Sequence, residues 1–539
     1  MFTGGVSVVM LTNKSSKLIM WPSHSRLFKP AALARCALVM AATLACYGVA
    51  LAVEHWEHQH VDLVVLAVAI TVMLARGEIE RPPRWGWLVL LLFPAAAAAA
   101  SYVGQKMALT DHVGDVLFAL ALGGCIAVRR FGPAWTKGGA IVTLPFVAAL
   151  VTPFTPQGTV SRALWSAAIA LAAAVLTGVT VAIARRLRLV QAAPAPPAPA
   201  GRTRGRLRPS DKLAVQMAVA VGLAFIAGRH FHSEHWQWPV LTAFIVCSGN
   251  AGRGDVVLKG LQRALGAAVG TAGATMIADY FGAGDKTAVV IIFCILAIAV
   301  WLRPANYAYW AACVTAALAL IYGYFGQGGM VVLEQRIEGI AIGAAIGIGV
   351  SWFLLPIRTV DVLRRRAAAL LEALTDLLVL IRDQPAEVGR SQVRSVAIAS
   401  AAIEGVAKPI AARARVAKAL HIQDRLAAMP AAAAACRAPA RALVELTRQD
   451  SGLAAYPDVA PAHAALLANV SLVRQSLRSR VAPELCVIAG GAGQAGSACD
   501  RALGALTSLS GALGHIAEAV SRPAQASRRE PEDLGHETP

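Results

Sequence analysis

Hydrophobic and polar positions along this chain separate into long blocks. Between residues 33 and 357, charge-poor apolar stretches alternate with short polar segments. Because about 20 residues of α-helix cross the ~30 Å hydrocarbon core of a bilayer, each apolar block is a candidate membrane-spanning helix. Twelve blocks are predicted, at 33–53, 61–75, 85–104, 114–128, 138–153, 163–184, 213–229, 237–251, 262–282, 287–302, 305–325 and 337–357.

Composition agrees with this pattern. Of the 539 residues, 57% are hydrophobic and 15% are charged, and the mean hydropathy is +0.58. A soluble protein usually has about 25% charged residues. The sequence therefore excludes a large soluble enzyme and a disordered protein, and it predicts an all-α polytopic membrane protein.

The basic residues indicate the orientation. If the N-terminus is cytoplasmic, 27 Lys and Arg fall in inside segments, and five fall outside: Lys106, Arg162, Arg229, Lys286 and Arg336. This asymmetry follows the positive-inside rule and places both termini in the cytoplasm. It also accounts for the net charge of +19 without nucleic acid as a partner.

The two halves of the membrane region resemble each other. Glu54-His55-Trp56 recurs as Glu234-His235-Trp236, and similar matches follow in the same order at offsets of 171 to 180 residues. An even number of helices per copy gives two parallel repeats. The predicted segments are a cytoplasmic N-terminal segment (1–30), a first six-helix repeat (31–190), a Pro/Ala/Arg-rich linker (191–210), a second repeat (211–357), a cytoplasmic helical domain (358–521) and a disordered tail (522–539).

The two ends of the chain carry further expectations. Residues 1–30 lack an apolar core followed by a small-residue cleavage site, so no cleavable signal is expected, and Met20 could be an alternative start. Residues 358–521 contain Leu, Arg and Glu at helical spacing and no stretch that we expect to span a membrane. They predict four to six amphipathic helices, interrupted near Pro385, Pro430 and Pro457.

One motif occurs twice in the second half. Arg263 is followed by Gly266 and Gly270, and Arg336 by Gly339, Gly343 and Gly347, so both segments read R-x-x-G-x-x-x-G. Glycines four apart let a neighbouring helix approach closely. The arginines either bind a carboxylate or extend from helix ends toward the interface. Because the two predicted helices begin at opposite faces, the arginines are expected at opposite faces.

Other candidates have an ordinary alternative explanation. Asp279 and Glu338 could couple transport to protons, or they could be solvated or stabilise a helix N-terminus. Tyr307 and Trp310 could stack on an aromatic ring or belong to the interfacial aromatic belt. Six histidines in two outer loops match no zinc pattern, so no metal is expected; they are His55, His58, His60, His230, His232 and His235.

With these residues the sequence resembles the fusaric acid resistance and aromatic acid exporter (FUSC-like) family. The resemblance rests on Trp236-Gln-Trp238-Pro239-Val-Leu-Thr242, on Arg263-x-x-Gly266 and on Arg336-x-x-Gly339. It implies efflux of organic anions, often aromatic carboxylic acids, driven by the proton gradient across a bacterial inner membrane, with a periplasmic adaptor as a possible partner. Thr242 and Thr271 join Arg263, Arg336, Tyr307 and Trp310 as candidate substrate-binding residues.

No catalytic signature accompanies these residues. The chain has no Walker loop, no GxSxG and no HExxH, so no enzyme activity and no cofactor are expected. Two other functions fit the same sequence: a passive organic-anion channel and an envelope-assembly scaffold. Membrane lipids are expected partners, and a small organic anion is the expected substrate of an exporter or a channel. A homo-oligomer is left open.

Overall fold

The computed structural model describes residues 30–57, 62–79, 86–109, 112–152, 159–189, 208–232, 235–249, 252–278, 281, 284–326, 330–419, 424–479, 481, 483–488 and 497–520. These residues are helical, and no strand occurs among them. The predicted N-terminal segment, tail and most of the linker lie outside them, as does Asp279. Contacts divide the described residues into unit 1, up to Leu354 without 249–258, and unit 2, which is the remainder.

Twelve helices occur among the described residues up to Leu354. They are α1 (Pro30–Glu57), α2 (Asp62–Ile79), α3 (Gly86–Ala108), α4 (His112–Ala127), α5 (Pro133–Ala149), α6 (Thr159–Arg186), α7 (Pro209–Phe231), α8 (Gln237–Cys247), α9 (Arg253–Ala278), α10 (Lys286–Leu302), α11 (Tyr307–Tyr324) and α12 (Met330–Phe353). Each overlaps one predicted block. The starts of α9 and α12 differ most, since these were predicted at residues 262 and 337.

Eight helical stretches among the described residues are long and apolar enough to cross a membrane. Seven lie among α1–α12: Ala32–Trp56, Trp87–Ala108, His112–Phe131, Ser161–Arg186, Pro209–Phe231, Tyr307–Tyr324 and Glu334–Phe353. α8 and α10 are apolar but shorter. This is the composition of a multi-pass membrane protein.

The eighth stretch, Arg390–Ala412, lies in unit 2. This stretch contains Arg394 and Glu404, so it does not contradict the expectation that residues 358–521 hold no charge-free stretch long enough to span a membrane. The stretch is interrupted after Glu404, and its fully buried Val396 and Ile403 pack into the core of unit 2.

The surface of unit 1 also suits a bilayer. α9 exposes Leu261, Leu265, Val269 and Met276, each between 56% and 78% accessible. These positions fall on one helical face, since most are spaced by four residues. A contiguous apolar face of this kind is unfavourable in water and is the expected surface toward lipid.

Several helix contacts of the first half recur in the second. In the first half, α1 packs against α2 and α6, α2 against α6, and α4 against α5. In the second half, α7 packs against α8 and α12, α8 against α12, and α10 against α11. Between the halves, α1 packs against α10 and α7 against α4. If six is added to each helix number, with α12 followed again by α1, the α1–α10 contact becomes the α7–α4 contact. The two contacts are therefore equivalent in the predicted two-repeat arrangement.

An aromatic pair lies at each of the two crossings between halves. Tyr47 of α1 and Phe293 of α10 have ring centroids 4.9 Å apart, and Phe225 of α7 and Phe118 of α4 are 5.6 Å apart. Phe225 follows Tyr47 by 178 positions and Phe293 follows Phe118 by 175, both within the offset of the sequence repeat. Phe146 of α5 adds a third ring at the α4–α7 crossing, 5.7 Å from Phe118.

A buried ion pair fastens the α4–α7 crossing. Arg229 donates to both carboxylate oxygens of Asp115, at 2.6 and 2.7 Å, and to the carbonyl of Met107 at 2.8 Å. Its guanidinium also lies 4.9 Å from the centre of the Trp236 ring. Arg229 was expected in an outer loop; it lies instead in the last turn of α7, where Asp115 compensates its charge.

Unit 2 contains seven α-helices among its described residues, besides the start of α9. They are α13 (Thr359–Asp383), α14 (Arg390–Glu404), α15 (Ala407–Ala419), α16 (Met429–Ala435), α17 (Arg437–Gln449), α18 (Val459–Ser479) and α19 (Ala498–Val520). Four to six were expected; the short breaks at Gly405–Val406 and at Cys436 raise the number. α13 supplies a buried stripe, with Leu363, Leu370 and Leu374 at most 1% exposed, around which the other helices pack.

Replacing Asp115 with Ala tests the ion pair. The change leaves Arg229 without its carboxylate, and we expect a loss of about 3–5 kcal/mol in the free energy of unfolding. Thermal unfolding of the detergent-purified protein measures it. Asp361→Ala is the control, because that carboxylate is half exposed and 3.9 Å from Arg364. Equal destabilisation by both variants would contradict a structural role for the Asp115 pair.

Candidate functional site

The glycines of α9 bring this helix against the start of α11. A Cβ added to Gly266 would lie 2.6 Å from the carbonyl oxygen of Ala308 and 2.7 Å from the Cβ of Ala311. A Cβ added to Gly270 would overlap the carbonyl oxygen of Ala312. Only hydrogen fits at both positions, so the α9 backbone lies directly on α11.

The glycines of α12 do the same against α8. Gly339 lies against Trp238 and Pro239, and a Cβ there would be 3.0 Å from the Pro239 ring. A Cβ on Gly343 would overlap the carbonyl oxygen of Pro239 and lie 2.9 Å from the Cβ of Thr242. Gly347 continues the contact with Val246 and Cys247 one turn further on. The two R-x-x-G-x-x-x-G segments therefore pack against different neighbours, α11 and α8.

Arg263 and Arg336 lie inside their helices and are buried. Arg263 is 3% exposed and Arg336 2%. At 1.5 Å per residue, Arg263 lies about 15 Å from the start of α9 and Arg336 about 9 Å from the start of α12. The expectation that they lie at opposite faces is wrong, because both helices begin earlier than predicted. The two side chains converge, and their charges interact.

Neither of these arginines has a carboxylate partner among the described residues. The guanidinium of Arg336 lies 5.8 Å from the centre of the Trp238 ring and interacts with Tyr322. The Nε of Arg263 is buried without a hydrogen-bond acceptor. Glu338 is two residues from Arg336 but points elsewhere: its side chain is 61% exposed, and its carboxylate lies 3.5 Å from Nε2 of His232. It also lies in the third turn of α12, not in the first as expected.

The start of α11 extends this basic region. Tyr307 is half-buried and lies within electrostatic range of Arg263, Arg303 and Arg76. The ring of Trp310 lies 4.8 Å from the guanidinium of Arg76 and 5.5 Å from that of Arg303. Arg76 and Arg303 therefore meet at one aromatic ring, although they belong to different halves of the chain.

These contacts form a continuous series that we call the arginine column. It consists of Arg76, Arg303, Arg263 and Arg336, connected through Tyr307 and Trp310 at one end of α11 and through Tyr322 at the other. Tyr307 and Tyr322 are separated by about 22 Å along the helix, at 1.5 Å per residue. The column thus extends over most of a ~30 Å hydrocarbon layer.

Buried hydroxyl groups accompany the column. Thr242 on α8 and Thr315 on α11 are fully buried, and neither hydroxyl has a hydrogen-bond acceptor or donor among the described residues. Thr271, one residue after Gly270, is 5% exposed. A hydroxyl in this position can hydrogen-bond to an anion, but the structure does not bring all three threonines into one cluster with the arginines.

An apolar cavity of about 300 Å³ lies between α1, α2, α10 and α11. Val68, Ile292 and Ala317 belong to its wall, together with Trp310 from the first turn of α11 and Glu54 from the last turn of α1. It adjoins the α1–α10 crossing. At the α4–α7 crossing, Trp236 contacts both Phe225 of the phenylalanine cluster and Arg229 of the ion pair.

Residues 223–350 match the fusaric acid resistance protein-like family. The matched segment contains α8 to α11 and nearly all of α12, and therefore Arg263, Arg336, Thr242, Tyr307 and Trp310. This match confirms the resemblance expected from the sequence. With the apolar helices, it supports a multi-pass membrane protein whose residues 223–350 are similar to that family. A search of curated proteins finds no match to the chain.

Two residues of the column were missed by sequence reasoning. Arg76 and Arg303 were counted only as inside-loop charges, and Arg76 lies outside the fusaric acid resistance protein-like segment. Arg76 on α2 meets Trp310 on α11, a contact between the halves for which the sequence gives no local signal.

The histidines do not assemble into a site. No group of three or more His, Cys, Asp or Glu among the described residues is placed to hold a metal ion. His235 stacks on Trp238 with ring centroids 4.4 Å apart, and His55 is exposed on α1. His58 and His60 lie outside the described residues.

Gly343→Val tests the α8–α12 contact. The larger side chain meets the Pro239 carbonyl, and we expect overpacking to lower the free energy of unfolding by about 1–3 kcal/mol. Gly349→Val is the matched control on the same helix, because no atom lies within 4 Å of its Cβ position. Thermal unfolding in detergent compares them, and equal stability of the two variants would rule out the tight contact.

Proposed function

We propose that the protein exports organic anions, aromatic carboxylates in particular, across the cytoplasmic membrane of a bacterium. The observation that carries this proposal is the convergence of Arg263 and Arg336, both buried and without a carboxylate partner among the described residues. Two like charges in a low-dielectric interior repel each other and lose hydration. A bound anion compensates both effects, and the guanidinium geometry suits a carboxylate.

The arginine column also gives such an anion a direction. Arg76 and Arg303 lie at the end predicted to be cytoplasmic, Arg263 lies further along, and Arg336 is nearest to the outer face. An anion can pass between neighbouring guanidinium groups without entering hydrocarbon alone. Exchange of partners between successive arginines is then the elementary step of transport.

The substrate's organic part has its own place in this proposal. The 300 Å³ cavity is walled by aliphatic and aromatic side chains, and Trp310 belongs both to its lining and to the arginine column. A carboxylate at Arg76 and Arg303 leaves an attached ring beside Trp310. The combination of a basic group and an apolar wall selects amphipathic acids over small inorganic anions.

The proposed membrane arrangement has twelve crossings in two parallel repeats, with both termini and unit 2 in the cytoplasm. The corresponding contacts α1–α10 and α7–α4, and the matched aromatic pairs at these crossings, support the duplication. The excess of Lys and Arg in the predicted inside segments supports the orientation. α8 and α10 are shorter than a full crossing, and α10 exposes Val290 and Ile298 at the surface of the bundle.

Proton coupling completes the proposal. Of the carboxylates considered at first, Glu338 is exposed and Asp279 lies outside the described residues. Glu54 lines the apolar cavity, and we propose it as the carboxylate that carries the proton. A passive anion channel is the second candidate, favoured by the arginine column itself, which provides a continuous path without a titrating group.

Transport by Arg263 variants is the main test. Export of labelled aromatic and aliphatic carboxylates from preloaded cells is compared for wild type, Arg263→Lys and Arg263→Gln. We expect at least a tenfold loss of efflux for Arg263→Gln and partial activity for Arg263→Lys, because lysine keeps the charge and loses the bidentate geometry.

The same assay distinguishes the alternatives. Efflux that a protonophore abolishes supports a coupled exporter, whereas flux that follows only the anion's electrochemical gradient supports the channel. Normal flux in Arg263→Gln contradicts the proposed site. No flux of any compound with the protein present in the membrane supports a scaffold and contradicts transport.

Ala317→Phe tests the cavity. The added ring occupies space that the 3%-exposed Ala317 borders, so we expect efflux of aromatic acids to fall several-fold while that of small aliphatic acids is retained. Val290→Phe, at a 61%-exposed position on α10, is the control for the added ring. Equal losses for aromatic and small acids would place the organic part of the substrate elsewhere.

A further inference from the structure

A second basic site lies in unit 2, in a cleft between α14 and α17. The two helices are antiparallel, since Arg437 at the start of α17 pairs with Glu404 at the end of α14 at 2.7 Å. At the other end of this helix pair the side chains enclose a cavity of about 410 Å³. Its lining contains four arginines and one carboxylate: Arg390, Arg394, Arg441, Arg448 and Glu445. We call it the four-arginine cleft.

The arginines of this cleft are poorly compensated. Arg448 lies 3.8 Å from Glu445, an exposed pair of little strength. The structure gives Arg390, Arg394 and Arg441 no ion pair with any described residue, although they surround a single cavity. Four positive charges and one negative charge leave an excess of three within it. All four arginines are exposed, so solvent screens their mutual repulsion, and the excess of positive charge can attract an anion.

The other end of the same helix pair, at Glu404 and Arg437, shows how the protein compensates the charge of an arginine. Arg437 donates from Nε to Ser400 at 2.9 Å and forms an ion pair with Glu404, so one arginine there has two partners from the facing helix. In the four-arginine cleft, the facing helix offers further arginines instead. At the Glu404–Arg437 end, the arginine's partners come from the chain itself. In the four-arginine cleft, the arginines are suited to an anion from outside the chain.

The floor of the cleft is apolar. Val444 is 3% exposed, and Val393 and Ala397 are half-buried beside it. A small inorganic anion would not use this surface, whereas an organic body attached to an anionic group would contact it. Exposed single charges bind weakly because solvent and salt screen them, so only a ligand with several negative charges engages several arginines at once.

We propose that the four-arginine cleft binds a phosphate-bearing ligand with at least two negative charges. Phosphate oxygens accept paired hydrogen bonds from guanidinium groups, and two phosphates can bridge Arg390 and Arg394 on α14 with Arg441 and Arg448 on α17. The ligand comes either from solution, as an organic di- or triphosphate, or from the membrane surface, as an anionic lipid headgroup. The site is separate from the arginine column and does not depend on transport.

The test uses the full-length protein in nanodiscs of neutral lipid, with ATP and inorganic pyrophosphate as probes in binding calorimetry. The double variant Arg394→Ala/Arg441→Ala removes one arginine from each helix, and we expect at least a tenfold weaker affinity for both probes. The control is Arg474→Ala/Arg478→Ala on α18, which removes the same charge from an exposed surface away from the cleft. A stronger interaction with ATP than with pyrophosphate is expected from the apolar floor.

A second arm distinguishes the source of the phosphate. In nanodiscs containing phosphatidylglycerol, a lipid ligand would weaken ATP binding to wild type by competition and leave the residual binding of the cleft variant unchanged. Unaltered ATP affinity assigns the site to a soluble ligand. Equal losses in the cleft and control variants, or no binding of either probe and no lipid effect, would overturn the proposal. Unchanged unfolding temperatures in both variants exclude a folding artefact.

Discussion

A guanidinium group inside a membrane protein is stable only if its charge is compensated, and two of them in mutual range make that requirement stricter. Arg263 and Arg336 meet this condition through position and neighbours. Trp238 and Tyr322 provide the electron-rich groups around Arg336, and glycine contacts hold α9 and α12 rigidly enough to keep the charges where they are. In the proposed transport activity, a bound anion compensates the remaining charge of the two arginines.

The glycine contacts are thus part of the electrostatics. Because α9 lies on α11 and α12 on α8 at backbone distance, the arginines on these helices cannot move away from each other by a small shift. Side chains larger than hydrogen at Gly270 or Gly343 would separate the helices and admit lipid or water. Dense packing and charge convergence depend on the same few residues.

The helices and their close glycine contacts could be predicted from the sequence, whereas some helix starts and the contacts between halves could not. Apolar block length locates helices well, because the bilayer sets that length, and the glycine spacing identified the close contacts on α9 and α12. Helix starts were less certain: Arg253–Leu258 and Met330–Leu333 continue their helices without being strongly apolar, and this error put Arg263 and Arg336 at opposite faces. Arg76 and Arg303 were missed because they meet at Trp310. The contact between Arg76 and Trp310 joins the two halves, and no local sequence pattern predicts it. The four-arginine cleft likewise arises only when α14 and α17 are placed side by side.

The unequal crossings between the halves have a mechanical consequence. One crossing, α4–α7, is filled by aromatic rings and fastened by Arg229 and Asp115, whereas the other, α1–α10, borders an open cavity. Rotation of one half on the other would have its axis at the fastened side, because breaking that ion pair is expensive in a low-dielectric interior. The largest displacement then occurs at the hollow side, beside Trp310. The two crossings therefore differ in stiffness: the α4–α7 side resists rotation of one half relative to the other, and the α1–α10 side accommodates it.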